Sequence, residues 1–412
     1  MPYRPRSLPA LAVAAAAAVA AACHGASVTP APPTSATLGP LPPVAPAPTT
    51  APPAWPAIDN ALLEQAAATL SFSLGEPTAP WLAPDGGTVL FRRSEPRSFV
   101  SDLWQLDTAT GAVARLLTAA DLLGGGDETL SAEEKARRER KRLATRGITG
   151  FSASKDGQRL LIPLSDRLFV HERREARSRE LPTGGGFPID PSLSHDGKRA
   201  AFVVDGDLRV VDVATGKAHQ VIRRASDREA NGVAEFVALE EMHRFQGYWW
   251  SPDDRHLAYQ HSDLAPVETL YIADAAHPEA APLPFRYPRA GTANAEVTLG
   301  IAPIGGGKTV WASWDRARFP YLVTVRWDDQ APLTIVVMNR EQTELRVLAV
   351  DIKTGTSTEL VAEHDDAWLN VDQTVPRWLA DGSGFLWSTE RNGAWELELR
   401  GKDGALVRTL VP

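Results

Sequence analysis

The chain has 412 residues, of which 43% are hydrophobic and 23% are charged, and its formal net charge is −8. This composition is typical of a soluble globular protein with one large domain or two ordinary ones. The negative charge argues against a nucleic-acid or membrane-coating function, because both kinds of partner require a broad basic surface.

The first 23 residues predict a signal peptide. Arg4 and Arg6 precede an apolar run over residues 10–22, which is too short to span a bilayer but long enough for a signal-peptide core. Cys23, the only cysteine, follows three alanines, and this resembles a bacterial lipoprotein cleavage box. Two interpretations stay open, namely lipidation of Cys23 as a membrane anchor and simple cleavage beside it. Both predict an exported protein, either periplasmic or a membrane-anchored lipoprotein.

Residues 24–57 are rich in proline, alanine and threonine and carry almost no charge. Such a composition favours extended conformations and cannot bury a core, so we expect a disordered linker. The folded domain is then predicted over residues 58–412.

A turn motif with Asp recurs along the folded part, and strands of alternating polarity follow it. The copies begin at Trp81, Ser152, Ser192, Trp250 and Trp378. Asp-Gly pairs suit the positive φ angles of hairpin turns, and repeated four-stranded units are the signature of a β-propeller. With a divergent unit over residues 311–337, the sequence predicts an all-β propeller of about six blades. A β-sandwich array or a solenoid is the alternative.

One insertion is predicted to be helical over residues 131–143. Ser131 and Glu134 form a capping box, and Gly147 follows the predicted end. The second half of this helix is basic, with Arg138, Arg140 and Arg142 among its residues. Arg138 and Arg142 are predicted to share one helix face, because they are four residues apart.

Two adjacent carboxylates, Glu240 and Glu241, precede an aromatic strand over residues 248–250. A pair of carboxylates is suited to hold a compact ammonium group. Neighbouring side chains on a regular strand point to opposite faces, so both can reach one ammonium only in a short helix or a bulge. A solvated acidic pair is the simpler interpretation of the dipeptide alone, and the aromatic strand is expected to pack in the core. The histidines near this pair match no zinc motif, and we expect neither a metal nor a cofactor.

The segment EEMHRFQGYWWSPD (residues 240–253) resembles the dipeptidyl peptidase IV family, particularly its bacterial members and the cytosolic dipeptidyl peptidases eight and nine. The segment LSAEEKARRERKRL (residues 130–143) is similar to the arginine-rich helix of those enzymes. RYPRAGTAN (residues 286–294) resembles a further loop of the family. The resemblance covers residues 58–412 and implies the N-terminal β-propeller region of a serine-type peptidase.

The resemblance also implies residue roles. Glu240 and Glu241 would bind the N-terminal amine of a peptide, and Arg138, Arg140 or Arg142 would bind a carbonyl near that end, with Arg138 or Arg142 preferred. The family's catalytic serine, aspartate and histidine lie on an α/β-hydrolase domain that follows a propeller of eight blades. The 412 residues contain no Gly-x-Ser-x-Gly motif. We therefore expect a truncated propeller without that domain, with no catalytic residue of its own and inactive when alone.

Two functional hypotheses remain. In the first, the chain is the substrate-recognition part of a secreted dipeptidyl aminopeptidase that releases Xaa-Pro or Xaa-Ala dipeptides, with an α/β-hydrolase partner domain or chain. In the second, it is a stand-alone periplasmic propeller that binds a peptide or protein without catalysis. The partners expected in either case are peptide N-termini, and family members commonly form homodimers.

Overall fold

The structure is a computed structural model, and it describes residues 60–126, 128–130 and 132–412. The predicted signal peptide, Cys23 and the linker lie outside these residues, as does Ser131 of the predicted capping box. Residues 60–412 form one compact unit that consists mainly of antiparallel sheets. The prediction of an all-β fold is confirmed.

Six sheets of four or five strands follow one another along the chain. The first sheet contains β1 (Thr78–Leu82), β2 (Thr88–Ser94), β3 (Val100–Asp107), β4 (Val113–Leu117) and β5 (Arg146–Gly147). The second contains β6 (Ser152–Ala153), β7 (Arg159–Leu164), β8 (Arg167–Glu172) and β9 (Arg177–Leu181). The third contains β10 (Ile189–Leu193), β11 (Arg199–Val204), β12 (Asp207–Asp212) and β13 (Ala218–Ile222).

The fourth sheet is interrupted by a separate hairpin made of β17 and β18. In chain order the strands are β14 (Glu229–Asn231), β15 (Tyr248–Trp250), β16 (His256–Asp263), β17 (Thr269–Ile272), β18 (Leu283–Arg286), β19 (Glu296–Pro303) and β20 (Val310–Trp311). The fifth sheet contains β21 (Tyr321–Arg326), β22 (Leu333–Met338), β23 (Glu344–Val350) and β24 (Ser357–His364). The sixth contains β25 (Arg377–Trp378), β26 (Gly384–Thr389), β27 (Glu396–Gly401) and β28 (Leu406–Val411).

The predicted divergent blade over residues 311–337 is wrong in its boundaries. Trp311 belongs to the last strand of the fourth sheet, and the fifth sheet begins at Tyr321. The error arises because the β17–β18 hairpin separates β16 from its partner β19 in the sequence. The number of blades, about six, is nevertheless as predicted.

Successive sheets pack face to face through five clusters of buried apolar side chains. For example, Leu90 of the first sheet packs with Leu160 of the second, and Val323 of the fifth packs with Phe385 of the sixth. Gly157, in one of the Asp-Gly turns, has φ +69° and lies so close to the first sheet that a Cβ would approach Trp81 to 2.8 Å. Each sheet therefore stacks on its neighbour in chain order, which is the arrangement of propeller blades.

The described residues contain four helices: α1 (Ala61–Ala68), which precedes β1, and α2 (Ala119–Leu123), α3 (Ala132–Arg140) and α4 (Phe236–Glu240), which lie between strands. The arginine-rich insertion contains α3, but the predicted end near residue 143 is wrong. The helix ends at Arg140 because Arg142 adopts a left-handed conformation with φ 53°. The amide of Leu143 then donates to the carbonyl of Arg138 at 2.8 Å, which closes the helix C-terminus.

Candidate peptide-binding site

Helix α4 presents the two adjacent carboxylates. Glu240 is its last residue, and Glu241 caps the helix with φ −97° and ψ −37°. Both residues are exposed. This confirms that the backbone at the pair is helical and not extended, so the two side chains are not forced to opposite faces of a sheet.

The start of α4 is fixed by a third glutamate, Glu235. Its carboxylate accepts hydrogen bonds from the amides of Val237 at 2.6 Å and Ala238 at 2.8 Å, which would otherwise lack helical partners. Burial raises the pKa of Glu235, and these two amides and Arg244 act in the opposite direction. A half-buried carboxylate therefore holds α4 in place while the exposed pair is left accessible.

The segment after α4 is anchored by a buried arginine. Arg244 donates to the carbonyl of Leu322 in β21 at 3.0 Å, to the carbonyl of Gln246 at 2.6 Å and to the side-chain oxygen of Gln260. Burial lowers the pKa of Arg244 to about 10, which is still far above neutrality, so the guanidinium stays charged. The guanidinium thus ties the end of the carboxylate segment to the fourth and fifth sheets.

A distant glutamine fixes the same segment from the sixth-sheet side. The amide group of Gln373 donates to the carbonyls of Met242 at 2.7 Å and Val323 at 2.8 Å. Met242, directly after the carboxylate pair, is buried in the core between the fifth and sixth sheets. Sequence reasoning missed Glu235, Arg244 and Gln373, and for Gln373 the sequence offers no local signal.

Helix α3 approaches the carboxylate pair through Arg140. Its Nε atom lies 3.7 Å from Oε1 of Glu240, and both side chains are partly exposed. This is an ion-pair contact that is longer than a hydrogen bond. Each group therefore keeps the capacity to form hydrogen bonds with another partner. Of the three predicted arginines, Arg140 is the one that the structure brings to the carboxylates.

Arg138 lies inside the insertion, where it bonds to two carboxylates. Its guanidinium donates to Glu134 at 2.5 Å and to Glu128 at 2.7 Å, and the other oxygen of Glu128 accepts from the amide of Gly147. Burial opposes the charge, but the two hydrogen bonds outweigh it, and the pKa of Arg138 is raised. These contacts connect α3 to the residues on either side of it.

The predicted helix face shared by Arg138 and Arg142 does not form. Arg142 lies beyond the end of α3 and is exposed, whereas Arg138 is buried. The separation of four residues places two side chains on one face only while the helix continues. The peptide-binding role of these two arginines stays a prediction.

The loop after β18 packs against α4. The ring of Tyr287 lies edge-on to Phe236, the first residue of the helix, with 4.8 Å between the ring centroids. In the same loop, Arg289 forms a paired contact with Glu268 at 2.6 and 2.7 Å, and Asn294 donates to the hydroxyl of Tyr321. The three sequence segments that carried the family resemblance therefore meet at one helix.

The aromatic strand β15 is part of the core, as its pattern predicted. Tyr248, Trp249 and Trp250 are all buried. The hydroxyl of Tyr248 donates within the third sheet, and Trp250 donates to Ser192. The three side chains belong to the apolar clusters that join the fourth sheet to the third and to the fifth.

Over the described residues, no group of three or more histidine, cysteine or acidic side chains could hold a metal ion. In the same part of the chain, no helix has the length and apolarity needed to cross a membrane.

Comparison with known proteins gives a consistent result. Residues 154–411 match the family described as the dipeptidyl peptidase IV (DPP IV) N-terminal region. Human dipeptidyl peptidase 8 is 26% identical over 200 residues, which cover 42% of this chain and 22% of that protein. Mouse inactive dipeptidyl peptidase 10 is 28% identical over 164 residues, which cover 38% of this chain and 20% of that protein.

A solved structure supports the fold. The crystal structure of Porphyromonas gingivalis dipeptidyl peptidase 4 superposes with a TM-score of 0.68 at 19% identity, over 86% of this chain and 49% of that one. The matches to the two curated relatives above span about a fifth of the relatives' lengths.

The stacked antiparallel sheets have the propeller fold of a solved dipeptidyl peptidase. The family match covers more than half of the residues, and the chain belongs to the dipeptidyl peptidase IV family through that N-terminal region.

Proposed function

We propose that the chain binds the free N-terminal amine of peptides through Glu240 and Glu241. Arg140 accompanies them and donates to a carbonyl near the same end of the peptide. In this proposal the chain is the substrate-recognition part of a dipeptidyl aminopeptidase that releases Xaa-Pro or Xaa-Ala dipeptides.

The contact between Arg140 and Glu240 is the observation that carries the proposal, because it joins the arginine helix to the carboxylate pair. An exposed pair of carboxylates on an anchored helix gives an ammonium group two charged acceptors. Hydrogen bonds to charged groups are stronger than neutral ones, at about 1.5–3 kcal/mol each. An amine that has been acetylated loses both its charge and most of its donors.

The test is a calorimetric comparison of two tetrapeptides, Gly-Pro-Gly-Gly and its N-acetyl form, with the purified chain. We expect the free amine to bind at least about tenfold more tightly, which corresponds to one charged hydrogen bond. Equal affinities for the two peptides would refute the proposal, and a peptide with an amidated C-terminus controls for contributions from the other end.

A second candidate is a binding protein without catalysis. It is favoured by the similarity to a relative that is itself named inactive. The two candidates share the amine-binding step and differ in the need for a hydrolase. Purification of the chain from its own cells, followed by labelling with a fluorophosphonate, separates them. A co-purifying labelled hydrolase supports the peptidase, whereas its absence supports the binding protein.

The proposed setting is outside the cytoplasm, because Arg4, Arg6 and the apolar run over residues 10–22 resemble a signal peptide. Anchoring through Cys23 would place the propeller at a membrane surface. Labelling of cells with a fatty-acid probe tests this, because a Cys23→Ser variant should lose a label that the natural chain carries.

A further inference from the structure

Beside the carboxylate pair lies a cavity whose polar lining is entirely cationic. Its volume is about 300 Å³, and its charged residues are Arg137, Arg140 and Lys141. The rest of the lining is apolar and includes Leu239, which precedes Glu240, and Phe245. No acidic side chain lines this cationic cavity. Two of its lining residues nevertheless adjoin the acidic pair: Arg140 contacts Glu240, and Leu239 precedes Glu240 in the chain.

The cations of the cavity are incompletely neutralised. Arg137 has only long contacts, at 3.7 Å to Glu134 and 3.8 Å to Asp190. Lys141 lies over the ring of Phe245, with 5.0 Å between its ammonium and the ring centroid. Over the described residues its ammonium forms no ion pair. Two cations thus converge on one space, and the carboxylates near Arg137 reach it only through contacts longer than a hydrogen bond.

The nearby carboxylates are shared with other partners or buried. Glu134 holds Arg138 at 2.5 Å. Burial raises the pKa of Asp190, and the charges of Lys141 and Arg137 act in the opposite direction. The pKa of Lys141 is lowered, mainly by burial and to a smaller extent by repulsion from the charge of Arg137. An additional anion in the cavity would relieve this repulsion.

We propose that the cationic cavity binds a side-chain carboxylate on the N-terminal residue of the bound peptide. The inference rests on the proposed function, because the amine at Glu240 and Glu241 fixes which residue reaches the cavity. Arg140 contacts Glu240 and also lines the cavity, so the side chain beside the amine spans from one to the other. The class of substrate is therefore peptides with an acidic N-terminal residue, followed by the proline or alanine of the proposed function.

The apolar lining defines the shape of the ligand. The methylene groups of a glutamate side chain pack on Leu239 and Phe245, while its carboxylate meets Lys141 and Arg137. A glutamine of the same length fills the same space but brings no charge. The comparison of glutamate with glutamine therefore isolates the electrostatic contribution from the packing.

The experiment measures binding of four free-amine peptides by calorimetry: Glu-Pro-Gly-Gly, Gln-Pro-Gly-Gly, Glu-Ala-Gly-Gly and Gln-Ala-Gly-Gly. We expect each glutamate peptide to bind about tenfold more tightly than its glutamine counterpart. That preference should disappear in Lys141→Met and weaken in Arg137→Met, while affinity for the glutamine peptides changes little. Circular dichroism melting of both variants checks that they are folded.

Equal affinity for the glutamate and glutamine peptides in the natural chain would overturn the proposal. So would a preference that survives in both variants, because the charge would then be read elsewhere. Failure of this inference is separable from failure of amine binding: the glutamine peptides should still bind better than their N-acetyl forms. If acetylation has no effect, the proposed function is what fails.

Discussion

The two helices that meet at the site are held in different ways. Helix α4 is fixed at its start by Glu235 and after its end by Arg244 and Gln373, all through hydrogen bonds to buried groups. Helix α3 reaches the rest of the site through Arg137 and Arg140 and through Lys141, which follows its last residue, and their contacts there are longer than hydrogen bonds.

Helix α3 is nevertheless well bonded within its own insertion. Arg138 connects it to Glu128, and β5 pairs in parallel with β3. From this difference we expect the carboxylates to form a fixed part of the proposed site and the arginine helix an adjustable one. The amine is expected to be positioned by α4, while α3 adapts to the rest of the peptide.

Removal of the main anchor of α4 should have the largest effect. In Arg244→Met the carbonyl of Leu322 and the side chain of Gln260 lose a buried donor, at a cost of about 3 kcal/mol in the free energy of unfolding. Urea unfolding followed by tryptophan fluorescence measures it. The exposed Arg174→Met is the matched control, expected to change stability by less than about 0.5 kcal/mol. An equally stable Arg244→Met would show that α4 is not anchored as described.

Removal of the contact between Arg140 and Glu240 should have a smaller effect. It should weaken peptide binding and leave the stability of the fold nearly unchanged. In Arg140→Met we expect about fivefold weaker binding of Gly-Pro-Gly-Gly, because the arginine is partly exposed and its interaction is screened by water. Arg142→Met is the control, since Arg142 lies past the end of α3. A larger loss in Arg142→Met than in Arg140→Met would reverse the assignment.

Much of the fold could be predicted because its signals are local. Each Asp-Gly turn and each alternating strand is a pattern of only a few consecutive residues. The repetition of these patterns predicts about six blades. The boundaries of the fourth blade could not be predicted, since the β17–β18 hairpin separates paired strands. The end of α3 was misjudged because a non-glycine residue, Arg142, takes the left-handed position that ends a helix.

The sequence predicted the kinds of residue in the candidate site better than the contacts between them. Glu240 and Glu241 stand out as adjacent acids, and three separate segments carried the family resemblance. Which arginine approaches them depends on where α3 ends and on the burial of Arg138 between two carboxylates. The contacts of Gln373 join residues 131 positions apart in the chain, and no sequence pattern indicates such a contact.

The central claim is that the carboxylates of Glu240 and Glu241 hold a peptide ammonium. The most direct measurement is a double-mutant cycle by calorimetry, which crosses Glu240→Gln/Glu241→Gln with N-acetylation of Gly-Pro-Gly-Gly. We predict that the variant loses at least about tenfold in affinity for the free amine and that acetylation then has no further effect. If acetylation weakens binding equally in the natural chain and in the variant, the ammonium is bound elsewhere and the account is contradicted.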